Sequence, residues 1–159
     1  MEFLLIRSRE TMKRIALSML GVTALLAFTQ PNGLACTCDL PLVKSSLSQQ
    51  VKQARKEARA VFSGKVLEII VKPQIYHVEV KVKVESSWEE SLPEEVTVFT
   101  GRGGGDCGFH FEVGESYLVF AYGSGNGSLW TNICQRTAGI SGAKLDLKIL
   151  GRGKLPRRK

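Results

Sequence analysis

The sequence predicts an all-β domain, β-rich with one or two helices, and three observations carry that prediction. The stretch YHVEVKVKVESSW alternates strictly, with Tyr76, Val78, Val80, Val82 and Val84 on one face and His77, Glu79, Lys81, Lys83 and Glu85 on the other. That is the period of a half-buried antiparallel strand. Four further runs, Ala60 to Val71, Glu94 to Thr100, Ser116 to Tyr122 and Ser128 to Cys134, are short, rich in β-branched and apolar residues, and divided by glycine-rich turns and Pro93. There is no alternation of strand and helix patterns of the kind that builds a parallel sheet, so five short strands indicate a small barrel or sandwich.

In chain order, residues 1–35 read as a signal peptide. Lys13 and Arg14 precede an apolar run from Ile15 to Phe28, and the small residues Gly33 and Ala35 stand at −3 and −1 of a cleavage site before Cys36. The run is shorter than the roughly 20 residues a spanning helix needs, so a permanent membrane helix is the weaker reading. Met12 offers an alternative start, with a compact MKR signal. Lipidation of Cys36 is the rival fate, although Gly33 and Leu34 match a lipobox poorly. One domain follows over residues 36–151. Leu47, Val51, Ala54 and Ala58 recur at helical spacing behind Ser45 and Ser46, either of which can cap a helix of about three turns. Gly64 marks a bend or bulge in the first strand, SGAKLDLKILG suits a short closing helix, and residues 152–159 read as a disordered basic tail.

The net charge of +7 invites an acidic partner until the charges are located. Four of the basic residues lie in residues 1–35 and five in the tail, leaving 13 basic against 13 acidic residues over positions 36–151. A nucleic-acid-binding barrel carries positive charge on the fold, interleaved with exposed aromatics, and this sequence does not. Trp88, Trp130 and Phe109 fit barrel-end core better than a base-stacking platform. GRGGGD, Gly101 to Asp106, has no Lys-Ser/Thr after it and opens no helix, so it reads as a mobile turn rather than a phosphate loop. His77 and His110 have no nucleophile to serve, and Glu89, Glu90, Glu94 and Glu95 flank a turn as solvated charges. No enzyme site emerges.

The four cysteines are Cys36, Cys38, Cys107 and Cys134. In an exported protein they read as a disulfide framework with three possible connectivities. Joining Cys36 to Cys38 would close a very tight ring and leave the terminus loose, so each cysteine of the CTC segment is expected to pair with Cys107 or Cys134. Such bridges would pin a terminus that otherwise frays. A metal site of the protein's own is disfavoured, because C-x-C lacks the spacing of zinc ribbons and only the two histidines could join it.

CTC at a mature N-terminus, VFSGKVLEI, DCGFHFEVGESYLVFA and LWTNICQRT together resemble the netrin-like module, a five-stranded OB-like barrel, and within it the N-terminal domains of the tissue inhibitors of metalloproteinases. The resemblance spans residues 36–151, is closest to single-domain bacterial members, and rests on CxC, then CG-x-x-F-x-x-G-x-x-Y-L, then a final cysteine. It implies Cys36–Cys107 and Cys38–Cys134 bridges. The animal inhibitors have a third bridge in this domain, for which this sequence has no cysteines.

The function the resemblance implies is inhibition of a zinc metalloprotease, with the metal supplied by the protease and no cofactor in the inhibitor. The free amine and carbonyl of Cys36 would take the open zinc position, Thr37 would enter the adjoining specificity pocket, and Cys38, Gly105 and Asp106 would complete the contact. The alternative is a non-inhibitory netrin-like module, secreted or lipid-anchored, that binds another extracellular protein. Either reading places a monomeric protein outside the cytoplasm, secreted or periplasmic.

Overall fold

Ser46 and Gln49 start the first helix. The Gln49 N–H donates to Ser46 Oγ at 3.3 Å while the Ser46 N–H donates to Gln49 Oε1 at 2.8 Å, a reciprocal cap that opens α1, Leu47–Glu57. The computed structural model describes residues 36–38, 45–89, 91–125 and 127–157; the signal peptide, its cleavage site, the choice of start and the last two residues of the tail lie outside them. Val51 is the fully buried residue of α1, and Ala54 and Ala58 pack beside it.

The remaining elements are β1 Ala60–Val71, β2 His77–Ser87, β3 Glu95–Gly101, a 3₁₀ turn at Gly104–Asp106, β4 Ser116–Gly123, β5 Leu129–Trp130, β6 Ala138–Gly139 and α2 Lys144–Leu150. The sheet runs β1-β2-β3-β5-β4, and β4 pairs back to β1, so five strands close on themselves; β6 adds to β4. Every pairing is antiparallel except β3 with β5. This is the five-stranded OB-like barrel, and closure removes the exposed edges that an open sheet of this size would carry.

Two apolar layers explain the two kinds of strand. Phe62, Val66, Val80, Val82, Val84, Val98 and Val119 fill the barrel. Val61, Leu118 and Phe120 point the other way, into a second cluster with Val51, Trp88, Ala143 and Leu150 beneath the helices. β1 and β4 are therefore buried on both faces in their paired halves, which is why AVF and YLVFA are continuous apolar runs while β2, covered on one face, alternates.

The expected bulge is at Gly64, where the β1–β2 register shifts. A Cβ there would press on the Lys83 carbonyl oxygen and stand 2.7 Å from Val82 Cγ1. Backbone cannot rotate away as a side chain can. Gly64→Ala is expected to cost about 2–3 kcal/mol in a urea titration, and a loss below about 0.5 kcal/mol would show that the bulge has room.

Several expectations are corrected. Tyr76 does not continue the inward face of β2; it sits in the preceding turn and is 92% exposed. The last barrel strand is two residues rather than seven, because Thr131 and Thr137 are buried after it. Their hydroxyls lie 2.7 Å apart, one donating to the other, and stand 3.1 and 3.3 Å from the Phe120 carbonyl, which accepts the remaining hydrogen and turns the chain into β6. The tail is ordered as far as Arg157. The Lys154 and Ser87 backbones exchange hydrogen bonds of 2.7 and 2.9 Å, the Arg157 N–H donates to the Leu92 carbonyl at 2.7 Å, and Trp88 Nε1 donates to the Gly151 carbonyl at 2.9 Å.

Candidate functional site

Both bridges form, Cys36–Cys107 and Cys38–Cys134, with Cα–Cα distances of 5.4 and 5.2 Å. They leave from one platform. Cys107 follows the 3₁₀ turn between β3 and β4, Cys134 follows β5, and the Ile133 N–H donates to the Cys107 carbonyl at 2.9 Å, joining the two loops directly. Asn132 shapes the second loop, its Oδ1 accepting the N–H groups of Cys134 at 2.9 Å and Gln135 at 3.2 Å. Cys107 holds the left-handed conformation at φ 59°, uncommon for a residue with a Cβ and maintained here by the bridge on one side and the Ile133 bond on the other. The result is a three-residue segment fastened at its first and last positions, with Thr37 exposed between two half-buried cysteines.

The glycine-rich loop beside it, read from the sequence as a mobile turn, is hydrogen-bonded from within. Asp106 Oδ2 accepts the Arg102 N–H at 2.7 Å, and Oδ1 accepts those of Gly103 at 2.8 Å and Gly108 at 3.0 Å. The Arg102 guanidinium reaches the carbonyls of Lys72 and Ile75 and ties the loop to the β1–β2 turn. Gly108 is obligatory on steric grounds, since a Cβ there would overlap the Gly101 carbonyl. Of the two loop residues expected to touch a partner, Gly105 is exposed and offers backbone, whereas the Asp106 carboxylate is committed to its own loop.

The N–H donors of Arg102, Gly108 and Gly103, in that order of effect, hold the Asp106 carboxyl below its usual value of 3.8. A lowered folded-state pKa stabilises above the ordinary carboxylate range and loses that contribution as pH falls through the lowered value. Asp106→Asn is therefore expected to cost about 1 kcal/mol near neutrality, less than a buried charge-assisted bond because the group is solvent-exposed, with the difference from the parent closing in acid. Urea titrations at both pH values check this; a gap that widens in acid would contradict it.

The loop stands between two open clefts. One, of about 270 Å³, is lined by Tyr76, His77, Asp106, Trp130 and Asn132 among others. His77 meets the rings of Phe99 and Trp130 edge-on, each at 5.2 Å, and Phe99 stacks on Trp130 at 5.3 Å. Trp130 Nε1 is buried without a hydrogen-bond partner among the described residues. The other cleft, of about 330 Å³, is apolar, with Val71, Val78, Phe109 and Phe111 in its wall.

As for metal ligands, the grouping found among the described residues is the sulfurs of Cys36, Cys107 and Cys134, all within 4.8 Å of one another. All three are in disulfides, so the grouping offers no thiolate. Sequence reasoning missed Asn132, Arg102 and the inward turn of Asp106. The Asx spacing Asn132-x-Cys134 was the one available signal. The chain matches no protein-family model, and a comparison with curated proteins found no match.

Proposed function

We propose that this domain is a netrin-like inhibitor module, exported with Cys36 as its first residue, that blocks a zinc metalloprotease. The observation that supports the reading is the convergence of both disulfides on Cys36–Thr37–Cys38. Two bridges on three residues are more than tethering a terminus requires, and they suit a segment that must hold its geometry against a partner. A terminal α-amino group ordinarily titrates at about 7.7 to 8.0, so the protease's zinc takes it deprotonated with modest help. Amine nitrogen and Cys36 carbonyl oxygen then close a small chelate ring and displace the water that an open catalytic zinc otherwise activates. Thr37 enters the adjacent pocket, and the fastened segment loses little freedom on docking. The oxidised cysteines accord with an oxidising compartment, and no described helix is long and apolar enough to cross a membrane.

The test is inhibition of a panel of zinc endopeptidases by the exported protein, with a serine protease as control and intact mass to establish a free Cys36 amine. Inhibition confined to the zinc enzymes is expected. Thr37→Gly is expected to weaken it by about 1 to 3 kcal/mol, one lost pocket contact, and to reorder preference among the targets. A blocked amine, or no inhibition of any zinc enzyme, overturns the reading in favour of a plain extracellular binding module.

A further inference from the structure

The charge balance of the domain is neutral along the chain but not in space. Residues 60–143, which build the barrel and its loops, hold six basic and ten acidic residues, whereas residues 45–59 and 144–157, the helices with their flanks and the tail, hold nine basic and two acidic. Four of the six barrel cations are engaged within the fold: Lys72 pairs with Glu79 and Lys81 with Glu68, each at 2.7 Å, Arg136 pairs with Asp146, and Arg102 is turned onto carbonyls. On the helical flank Arg55 is paired in the same way, with Glu89 at 2.6 Å, but four lysines are not. Lys52 and Lys56 lie one turn apart on the outer face of α1, Lys144 and Lys148 one turn apart on that of α2, all exposed and without an ion pair among the described residues. One of the two acids, Asp146, is buried against Arg136, with nitrogen–oxygen distances of 2.9 Å to both carboxylate oxygens.

The basic segments are contiguous through Trp88. Its carbonyl accepts from Arg55 of α1 at 2.8 Å, its Nε1 donates to Gly151 just after α2, and Lys154 Nζ reaches the next carbonyl, that of Glu89, at 2.7 Å. Two leucines stand among these cations, Leu145 at 62% and Leu155 at 78% exposure. Leu145 shares the outer face of α2 with Lys144 and Lys148.

We propose that this flank docks on an anionic phospholipid surface, with the lysines over the headgroups and Leu145 and Leu155 in the interface. Unpaired cations alone would serve any polyanion, but exposed leucines among them gain only from a phase with an apolar interior, and interfacial proteins combine the two. The proposal needs nothing from Cys36 and stands apart from the zinc-directed reading.

The test is co-sedimentation of the exported protein with vesicles of mixed phosphatidylcholine and phosphatidylglycerol, against phosphatidylcholine alone. Binding that requires the anionic lipid and weakens with added salt is expected. Replacing Lys52, Lys56, Lys144 and Lys148 together by Gln lowers it by about fivefold per cation, several hundredfold in all. Leu145→Ser with Leu155→Ser lowers it by about tenfold, from lost apolar contact. All six side chains are exposed, and an unchanged melting curve verifies the fold. Equal sedimentation with the two vesicle types overturns the proposal. So does vesicle binding that ignores the leucine pair and is competed away by soluble dextran sulfate, which would assign the flank to polyanions in solution.

Discussion

Replacing Cys38 and Cys134 together by serine is expected to lower the unfolding free energy by about 3 to 4 kcal/mol, and removing Cys36–Cys107 as well to bring the total loss to about 8 kcal/mol. The bridges span 71 and 96 residues, and each taken alone would restrict the unfolded chain by about 4 to 5 kcal/mol. They are not independent, because they end two residues apart on the same segment. With Cys36–Cys107 intact, the second bridge closes a ring of only about 30 residues, through 36–38 and 107–134, worth about 3.6 rather than about 4.7 kcal/mol. Either bridge can thus be lost from a domain whose total stability is of the usual order of 5–15 kcal/mol, whereas loss of both approaches the whole of it. Guanidinium titrations of the two single-bridge variants and the bridge-free chain check this. Single losses well above about 5 kcal/mol would mean that the CTC segment itself holds the fold, and a bridge-free chain no less stable than a single-bridge one would mean that the second bridge restrains nothing.

How legible this architecture was depended on the scale of each signal. The barrel strands were readable because burial imposes a period: Val78, Val80, Val82 and Val84 recur at two because β2 has one covered face, and VFSG and YLVFA are unbroken because β1 and β4 have two. The periodicity reached one residue too far at Tyr76, where the pattern of apolar residues continues past the point at which a partner strand is present to cover it. The fifth strand was overestimated for the opposite reason. SLWTNIC has strand composition, but its threonine is satisfied by a buried hydroxyl pair with Thr137, a contact six residues away that no local pattern encodes. The tail was misjudged from its charge, since what fixes it is backbone pairing to Ser87 and Leu92, to which lysine and arginine side chains are indifferent.

At the candidate site, residue types narrowed the cysteine pairing to the CTC segment against Cys107 and Cys134, and the choice between the two crossed arrangements came only with the family resemblance. The structure has the implied pairing. What lay beyond the sequence was the carpentry around it. That Asp106 folds its carboxylate back over three N–H groups depends on the positive φ of Gly103 and on Gly108 lying against Gly101, both products of the closed loop. The residue was read as a contact to a partner, and its carboxylate shapes the loop that supports Cys107.

The second large effect is on inhibition, and it isolates the chemistry from the fold. Adding a single alanine before Cys36 moves the terminal amine one residue along the chain, about 3.8 Å from where it shares a chelate ring with the Cys36 carbonyl, and converts the Cys36 nitrogen into an amide that does not ligate zinc. Thr37 and both bridges remain. Inhibition of the most sensitive zinc endopeptidase by parent and alanine-extended protein, measured side by side with matched melting curves and disulfide maps, is therefore the most direct test of a zinc-directed terminus. Complete loss of inhibition in a fully folded, doubly bridged variant is the result expected; an extended protein that inhibits as well as its parent would contradict chelation by Cys36.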